Sequence, residues 1–313
     1  VASVTDPEDR ALVDLRSWSI LTEQEIRTVP SRYQFNAAMW PSRDGVRVIA
    51  GAYRSTHLLF NERNVTAVTS RRVRAAAILK RAAGGVVAND WRLRVRVFVV
   101  GLNGVTAATA PTNTRLQRAL TLVRQYYAAA NVGFEVTGYA DVTGADATRF
   151  AVIDSRDEFR ELLTRSASSA GPVLNLFLVR GISGSAGLEN AIGVAGAIDG
   201  PPGIHGTTQS GVLVGWESTQ SVADFLPITI AHECGHYLGL WHVREGYTPC
   251  TVPNPPAGTM CSPFGGVDAI SDTPRDDASA RQYMMYWQTT LGNNNTSISA
   301  GQSLVMRGNP LIQ

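Results

Sequence analysis

From residue 91 the chain alternates. Leu93, Val95, Val97 and Val99 stand among Arg92, Arg94, Arg96 and Phe98. This period-2 pattern predicts a strand that is half-buried at its start and more deeply buried towards Val100. The period then changes. Leu116, Leu120, Val123 and Tyr127 recur at steps of four, three and four behind the loop and cap residues 111–114, which predicts an amphipathic helix ended by Gly133. Phe134-Glu135-Val136 opens another strand, and a second helix is predicted over 156–165. Residues 173–179 form a strongly apolar strand, and the Gly-rich stretch 181–206 holds a weaker one at 192–197. Another strand follows at 212–216. An apolar helix then runs from Phe225 to about Gly239, with a capping-box-like start at Ser221 and Asp224, or a start at Pro227.

On either side the signals are sparser. Residues 1–88 read as a polar leader, a short strand at 46–50 and a helix at 73–81 stopped by Gly84-Gly85, with a domain boundary at 84–90. After His242 the chain is rich in Pro, Gly, Asn and Ser, so mostly loops are expected, with one helix near 300–306. Strands and helices in this order predict an α/β arrangement with a mixed sheet and a buried last helix.

Composition narrows the classes. The 313 residues are 44% hydrophobic and 17% charged, enough apolar material for a core and incompatible with a disordered chain. Apolar runs fall short of the roughly 20 residues a membrane span needs, and a net charge of +2 is no footprint for nucleic acid. Residues 1–90 carry 13 basic against 9 acidic side chains, and the remainder 15 against 17. Opposite signs favour docking of the two parts, weakly and in a salt-sensitive way. The chain begins at Val1 without a charged or apolar leader, so a processed chain whose targeting signal is not visible is expected. Cys250 and Cys261 lie in a Pro/Gly-rich loop and could close a short disulfide ring, which implies an oxidising compartment; Cys234 then reads as a buried thiol.

The chemistry concentrates in His232-Glu233-Cys234-Gly235-His236-Tyr237-Leu238-Gly239-Leu240-Trp241-His242, which holds three of the five histidines. On a helix, residues four apart share a face, so His232 and His236 can point at one ion. Glu233 lies about 100° round the helix, within reach of a metal-bound water without being a ligand. Gly239 can end the helix in a left-handed conformation and let the chain deliver His242 as a third nitrogen ligand. Three neutral imidazoles with one open position are the donor set of a catalytic zinc.

The pattern HExxHxxGxxH resembles the metzincin clan of zinc endopeptidases, and within it the pappalysin family. The further likeness lies in Gly239-Leu240-Trp241-His242, in Asp268-Ala269-Ile270-Ser271-Asp272-Thr273-Pro274 and in Tyr283-Met284-Met285-Tyr286. It covers roughly residues 91–309. It implies a mixed twisted sheet with an antiparallel edge strand, a backing helix and an active-site helix. A subdomain to about residue 239 would be followed by a loop-rich one over 240–313. It also implies roles: His232, His236 and His242 hold zinc, Glu233 is the general base, Met284 is the Met-turn floor, and Tyr286 hydrogen-bonds the developing oxyanion. Two departures are Met285, where relatives commonly have Asp, and Trp287-Gln288-Thr289-Thr290 in place of acidic residues that favour arginine.

Asp268 and Asp272, with Asp276 and Asp277 nearby, supply the oxygen donors that calcium takes, and the resemblance adds calcium in this region; the plainer reading is a solvated acidic loop. His205 reads as solvent-facing or as a partner behind a ligand rather than a ligand itself, and His57 as structural. Residues 1–88 are either a prosegment or an accessory domain. No cysteine precedes Cys234, so a cysteine switch is excluded, which leaves Asp6, Asp9, Asp14 or Asp44 to reach the zinc in a zymogen. The expectation is a secreted zinc endopeptidase acting on protein or peptide substrates. The alternatives are a silent zinc-binding interaction protein and a zinc amidase for a small substrate.

Overall fold

The computed structural model describes residues 90–313 apart from 184–187, 189, 199, 221–223, 245–267, 269, 271 and 290–294, together with 3–5, 7–8, 11–14 and 54–56. In the N-terminal part, β1 (Ser3–Thr5), β2 (Ala11–Asp14) and β3 (Arg54–Thr56) form an antiparallel sheet in the order β2-β1-β3. Strands of three or four residues carry too few alternations to register as a pattern, so the polar leader hid them. The expected elements at 46–50 and 73–81, and with them His57, Asp6, Asp9 and Asp44, lie outside the described residues.

The main body is a mixed α/β fold. Its strands are β4 (Trp91–Val100), β5 (Val132–Val142), β7 (Leu174–Val179), β9 (Gly193–Ala195) and β10 (Val212–Gly215), in the sheet order β5-β4-β7-β10-β9. Every neighbouring pair is parallel except β9 with β10, so β9 is an antiparallel edge strand. A short parallel pair, β6 (Val152–Ile153) with β8 (Gly181–Ile182), stands apart from the sheet. The helices are α1 (Thr114–Ala128), α2 (Ala145–Arg149), α3 (Arg156–Leu163), α4 (Leu226–Tyr237), α5 (Asp277–Ala280) and α6 (Ala300–Gly308).

Both sheet faces are covered, as a largely parallel sheet requires. Leu93, Val95, Val97 and Val99 of β4 join one core with Leu116, Leu120, Val123 and Tyr127 of α1 and Leu226, Ile230, Ala231 and Cys234 of α4. Phe98 and Val100 point the other way, into a core with Phe177, Leu213 and Phe159, Leu162 and Leu163 of α3. Alternation along β4 therefore assigned its residues to opposite faces, with polar arginines tolerated only at its exposed start. β5 is longer than Phe134-Glu135-Val136 suggested. Its second half lies at the sheet edge, where Val136, Gly138, Tyr139 and Ala140 are half-buried and Thr137 and Asp141 exposed, so the apolar signal fades while pairing with β4 continues through Val142.

Two local features place the helix that carries the motif. The expected box at Ser221 and Asp224 does not cap it: α4 begins at Leu226, with Pro227 in its first turn where a missing N–H costs nothing, and Ser221 lies outside the described residues. Asp224 instead accepts from the Leu226 N–H at 3.2 Å and pairs with Arg115 of α1 at 2.7 Å. Arg115 also donates to the Trp216 carbonyl at 2.7 Å and lies over the Trp216 ring, tying α1 to the chain between β10 and α4. At the other end of the chain α6 has a full capping box, Ser299 with Gln302. The last residue then exchanges both backbone hydrogen bonds with Arg92, so the C-terminal segment pairs beside the start of β4. Among the described residues no helix is long and apolar enough to cross a membrane.

Candidate metal centre

His232 and His236 lie one turn apart on α4, which buries almost every side chain it has. Gly239 ends the turn at φ 105°, a conformation that a side chain would strain. The Leu240 N–H bonds back to the Gly235 carbonyl at 3.0 Å, so the chain reverses and brings His242 over the same face. The His242 Nε2 then stands 3.1 Å from Nε2 of His232 and 3.0 Å from Nε2 of His236. Among the described residues this trio is the one cluster of three or more His, Cys, Asp or Glu able to share an ion.

Proton positions follow from the partners. The His232 Nδ1 lies 2.8 Å from the Met284 carbonyl and the His236 Nδ1 lies 2.7 Å from the Leu240 carbonyl. A carbonyl only accepts, so each Nδ1 carries the proton and each Nε2 is a bare lone pair. The His242 Nε2 carries at most one proton and cannot satisfy both. Burial, then the neighbouring histidine, holds His232 neutral down to about pH 3, and the same causes push His236 well below its ordinary value. Neutral imidazoles whose bare nitrogens converge, each steered from behind by a carbonyl, fit a bound cation. Tetrahedral zinc with bonds of 2.0–2.1 Å sets its nitrogens about 3.4 Å apart, within a few tenths of an ångström of what is seen here.

Glu233 is 7% exposed, and burial pushes its carboxyl up to about 8. A hydrogen bond from the Ala195 N–H opposes the rise. Cys234 is fully buried and free, and burial raises its thiol, so it is an inert packing residue. Below the helix, Met284 and Met285 are both fully buried. A Cβ on Gly235 would stand 2.6 Å from Met285 Sδ and 3.1 Å from Met284 Cε, so the helix rests on both thioethers through a glycine. The Met285 carbonyl also accepts from the Val243 N–H at 2.9 Å, pinning the chain just beyond His242.

Tyr286 is buried, and its hydroxyl donates to Asp277 Oδ1 at 2.7 Å. Burial, then this bond, raises the phenol, while Asp277 is shared with Arg281 at 2.6 Å. Asp272 spends its carboxylate on the start of α6, accepting from the Ser299 hydroxyl at 2.7 Å and the Gly301 N–H at 2.9 Å. Asp268 accepts from the Thr273 hydroxyl and the Ile270 N–H on one oxygen. Its Oδ2 is buried with no partner among the described residues, and burial lifts the group to about 7. The loop with Cys250 and Cys261 lies outside the described residues. His205 is bound elsewhere, to Asn175 at 3.0 Å and the Gly171 carbonyl at 2.9 Å.

Sequence reasoning gave no site role to Gly193 or Ala195, noted Met285 only as a departure, and noted Asp277 only beside the acidic loop. For Gly193 a signal existed, because a glycine inside a strand marks close backbone approach. Asp277 follows no local pattern that points at Tyr286.

No protein-family model matches the chain, and no curated protein matches it. Among solved structures it is similar to a chain of a chaperone–substrate complex, at 14% identity and a TM-score of 0.34, over 74% of this chain and 36% of that one. It is also similar to metalloproteinase-II from Bacteroides fragilis, at 16% identity and a TM-score of 0.38, over 71% of this chain and 54% of that one. The chain thus spans about a third to a half of the length of these two.

Proposed function

We propose that this chain is a zinc-dependent endopeptidase, secreted and metzincin-like with pappalysin character, in which His232, His236 and His242 hold the metal and Glu233 is the base. One observation carries the reading: the bare Nε2 atoms of the neutral His232 and His236 converge on the His242 Nε2, with a buried carboxyl on the same helix. Nitrogen donors favour zinc over calcium or magnesium, which take oxygen. Zinc bound there would supply Lewis acidity, polarising a carbonyl and bringing the pKa of its water towards about 7. Nearby positive charge would also draw Glu233 down from about 8 and favour its carboxylate form.

The chain's own groups then act in order. Glu233 accepts the proton of the water that attacks the peptide carbonyl and passes it to the departing amine. Tyr286 would hydrogen-bond the developing oxyanion once its hydroxyl is released from Asp277. Edge strand β9 supports a polypeptide substrate, since among the described residues no strand pairs with its outer side and an extended chain can add there as a further strand.

The test is casein incubated with wild type and with Glu233→Gln, zinc being measured on both. Cleavage by wild type alone at equal zinc supports the peptidase. Zinc-loaded wild type that cuts neither casein nor a peptide library would leave a zinc-binding interaction protein.

A further inference from the structure

Within β9 the backbone has two sides. The Gly215 N–H donates to the Ile192 carbonyl at 3.0 Å and the Gly196 N–H to the Gly211 carbonyl at 2.9 Å. With the register Val212↔Ala195, Leu213↔Val194 and Val214↔Gly193, residues 192, 194 and 196 therefore bond to β10. Antiparallel pairs alternate, so Gly193 and Ala195 turn their N–H and C=O groups to the open edge. Ala195 packs with the core on the α4 side and Val194 with the core on the opposite face, which puts the α-hydrogens of Gly193 towards α4 as well.

Gly193 is not among the residues with positive φ, so its backbone does not ask for glycine. Space does. A Cβ there would stand 2.6 Å from Thr229 Cγ2, 2.7 Å from Glu233 Cγ and 2.8 Å from Glu233 Oε1, closer than the 3.0 Å real Cβ atoms keep. Thr229 and Glu233 are four residues apart, so one face of α4 lies flush against the strand. The Ala195 N–H then holds the carboxyl end of the same side chain. A glycine in a strand interior forgoes packing and costs backbone entropy. What it gains here is contact with the base.

We propose that Gly193 is a positioning residue for Glu233: its missing Cβ lets the edge strand grip the side chain from Cγ to carboxyl and fix where the base points. This rests on Glu233 being the base. Strand and base then form one unit, so a polypeptide paired along the outer side of β9 meets a carboxyl set by that strand.

The experiment is Gly193→Ala, with zinc content measured, on a peptide taken from a casein digest. A Cβ there shifts the carboxyl by a fraction of an ångström, and misplacement of that order costs about 10–100-fold. The expected result is a kcat lower by about that factor, with KM within about twofold and zinc unchanged. Wild type that cuts with Gly193→Ala matching its kcat would overturn the proposal. A second arm needs no activity: the effect of Gly193→Ala on Tm is compared in wild type and in Thr229→Ser/Glu233→Ala, which removes the clashing atoms. Tm should fall in the first background and stay within error in the second; an equal fall in both would overturn the proposal. If wild type cuts nothing, the peptidase reading fails while the Tm comparison still decides whether Gly193 holds Glu233.

Discussion

Two histidine sites in this protein differ in how their nitrogens are satisfied. Around His205, Asn175 Nδ2 donates to the ring Nδ1 and to the Ser210 carbonyl, Asn175 Oδ1 accepts from Ser169, and the ring Nε2 donates to the Gly171 carbonyl. Each of these atoms meets its complement, so the network is closed and holds a loop against β7. At the second site the outer nitrogens of His232 and His236 are spent on carbonyls, and their inner nitrogens face the His242 Nε2 at 3.1 and 3.0 Å. Burying polar atoms without complements costs free energy unless something else fills the gap. A histidine with two matched partners is complete without an ion, whereas the nitrogens of the second site lie close enough together to share one.

The largest effect that would break this contrast is on turnover. Glu233→Gln should lower kcat by about 10²–10⁴-fold with zinc retained, the range for loss of a general base; steady-state kinetics on a casein-derived peptide measures it. His236→Ala comes next. It should lose zinc affinity by more than the roughly 10–100-fold that an outer partner of a ligand costs. The Tm gain that zinc gives wild type should vanish with it. His205→Ala should leave zinc and kcat untouched while destabilising the fold by about 1 kcal/mol in denaturant titration, because the buried Asn175 amide loses a partner. Zinc loss in that variant would contradict the contrast.

The smallest effect concerns Asp268, a third kind of buried polar group, with one oxygen matched and one bare. Its carboxyl sits at about 7 against an unfolded value near 4, so the folded state holds the proton more tightly. The stability this gives is complete below the unfolded pKa and is lost as pH rises through the folded one, on the order of 1 kcal/mol of it between pH 6.5 and 8. Denaturant titration at both values should show a flatter slope in Asp268→Asn. An equal slope in the two would mean that Asp268 is ionised in the fold.

Periodicity made the main sheet and its helices legible because β4, α1, β7 and α4 each carry enough residues on a core to repeat a pattern. Where burial is shallow, as along β5, or the element is short, as in β6, α2 and α5, the pattern disappears while backbone pairing or a cap still holds the element. At the site, the spacing of the histidines was readable because helix geometry alone brings His232 and His236 together and Gly239 turns the chain to His242. Partners separated by tens of residues were not. Met285 beneath Gly235, Asp277 on Tyr286 and Gly193 against Glu233 are brought together by the fold, and only the glycine left a local trace.

Zinc titration of the metal-stripped chain, alone and as His242→Ala and His205→Ala, tests the central claim most directly. The account predicts one equivalent taken up tightly by wild type and by His205→Ala, and severely weakened uptake by His242→Ala. Uptake unchanged by His242→Ala, or none by folded wild type, would contradict it.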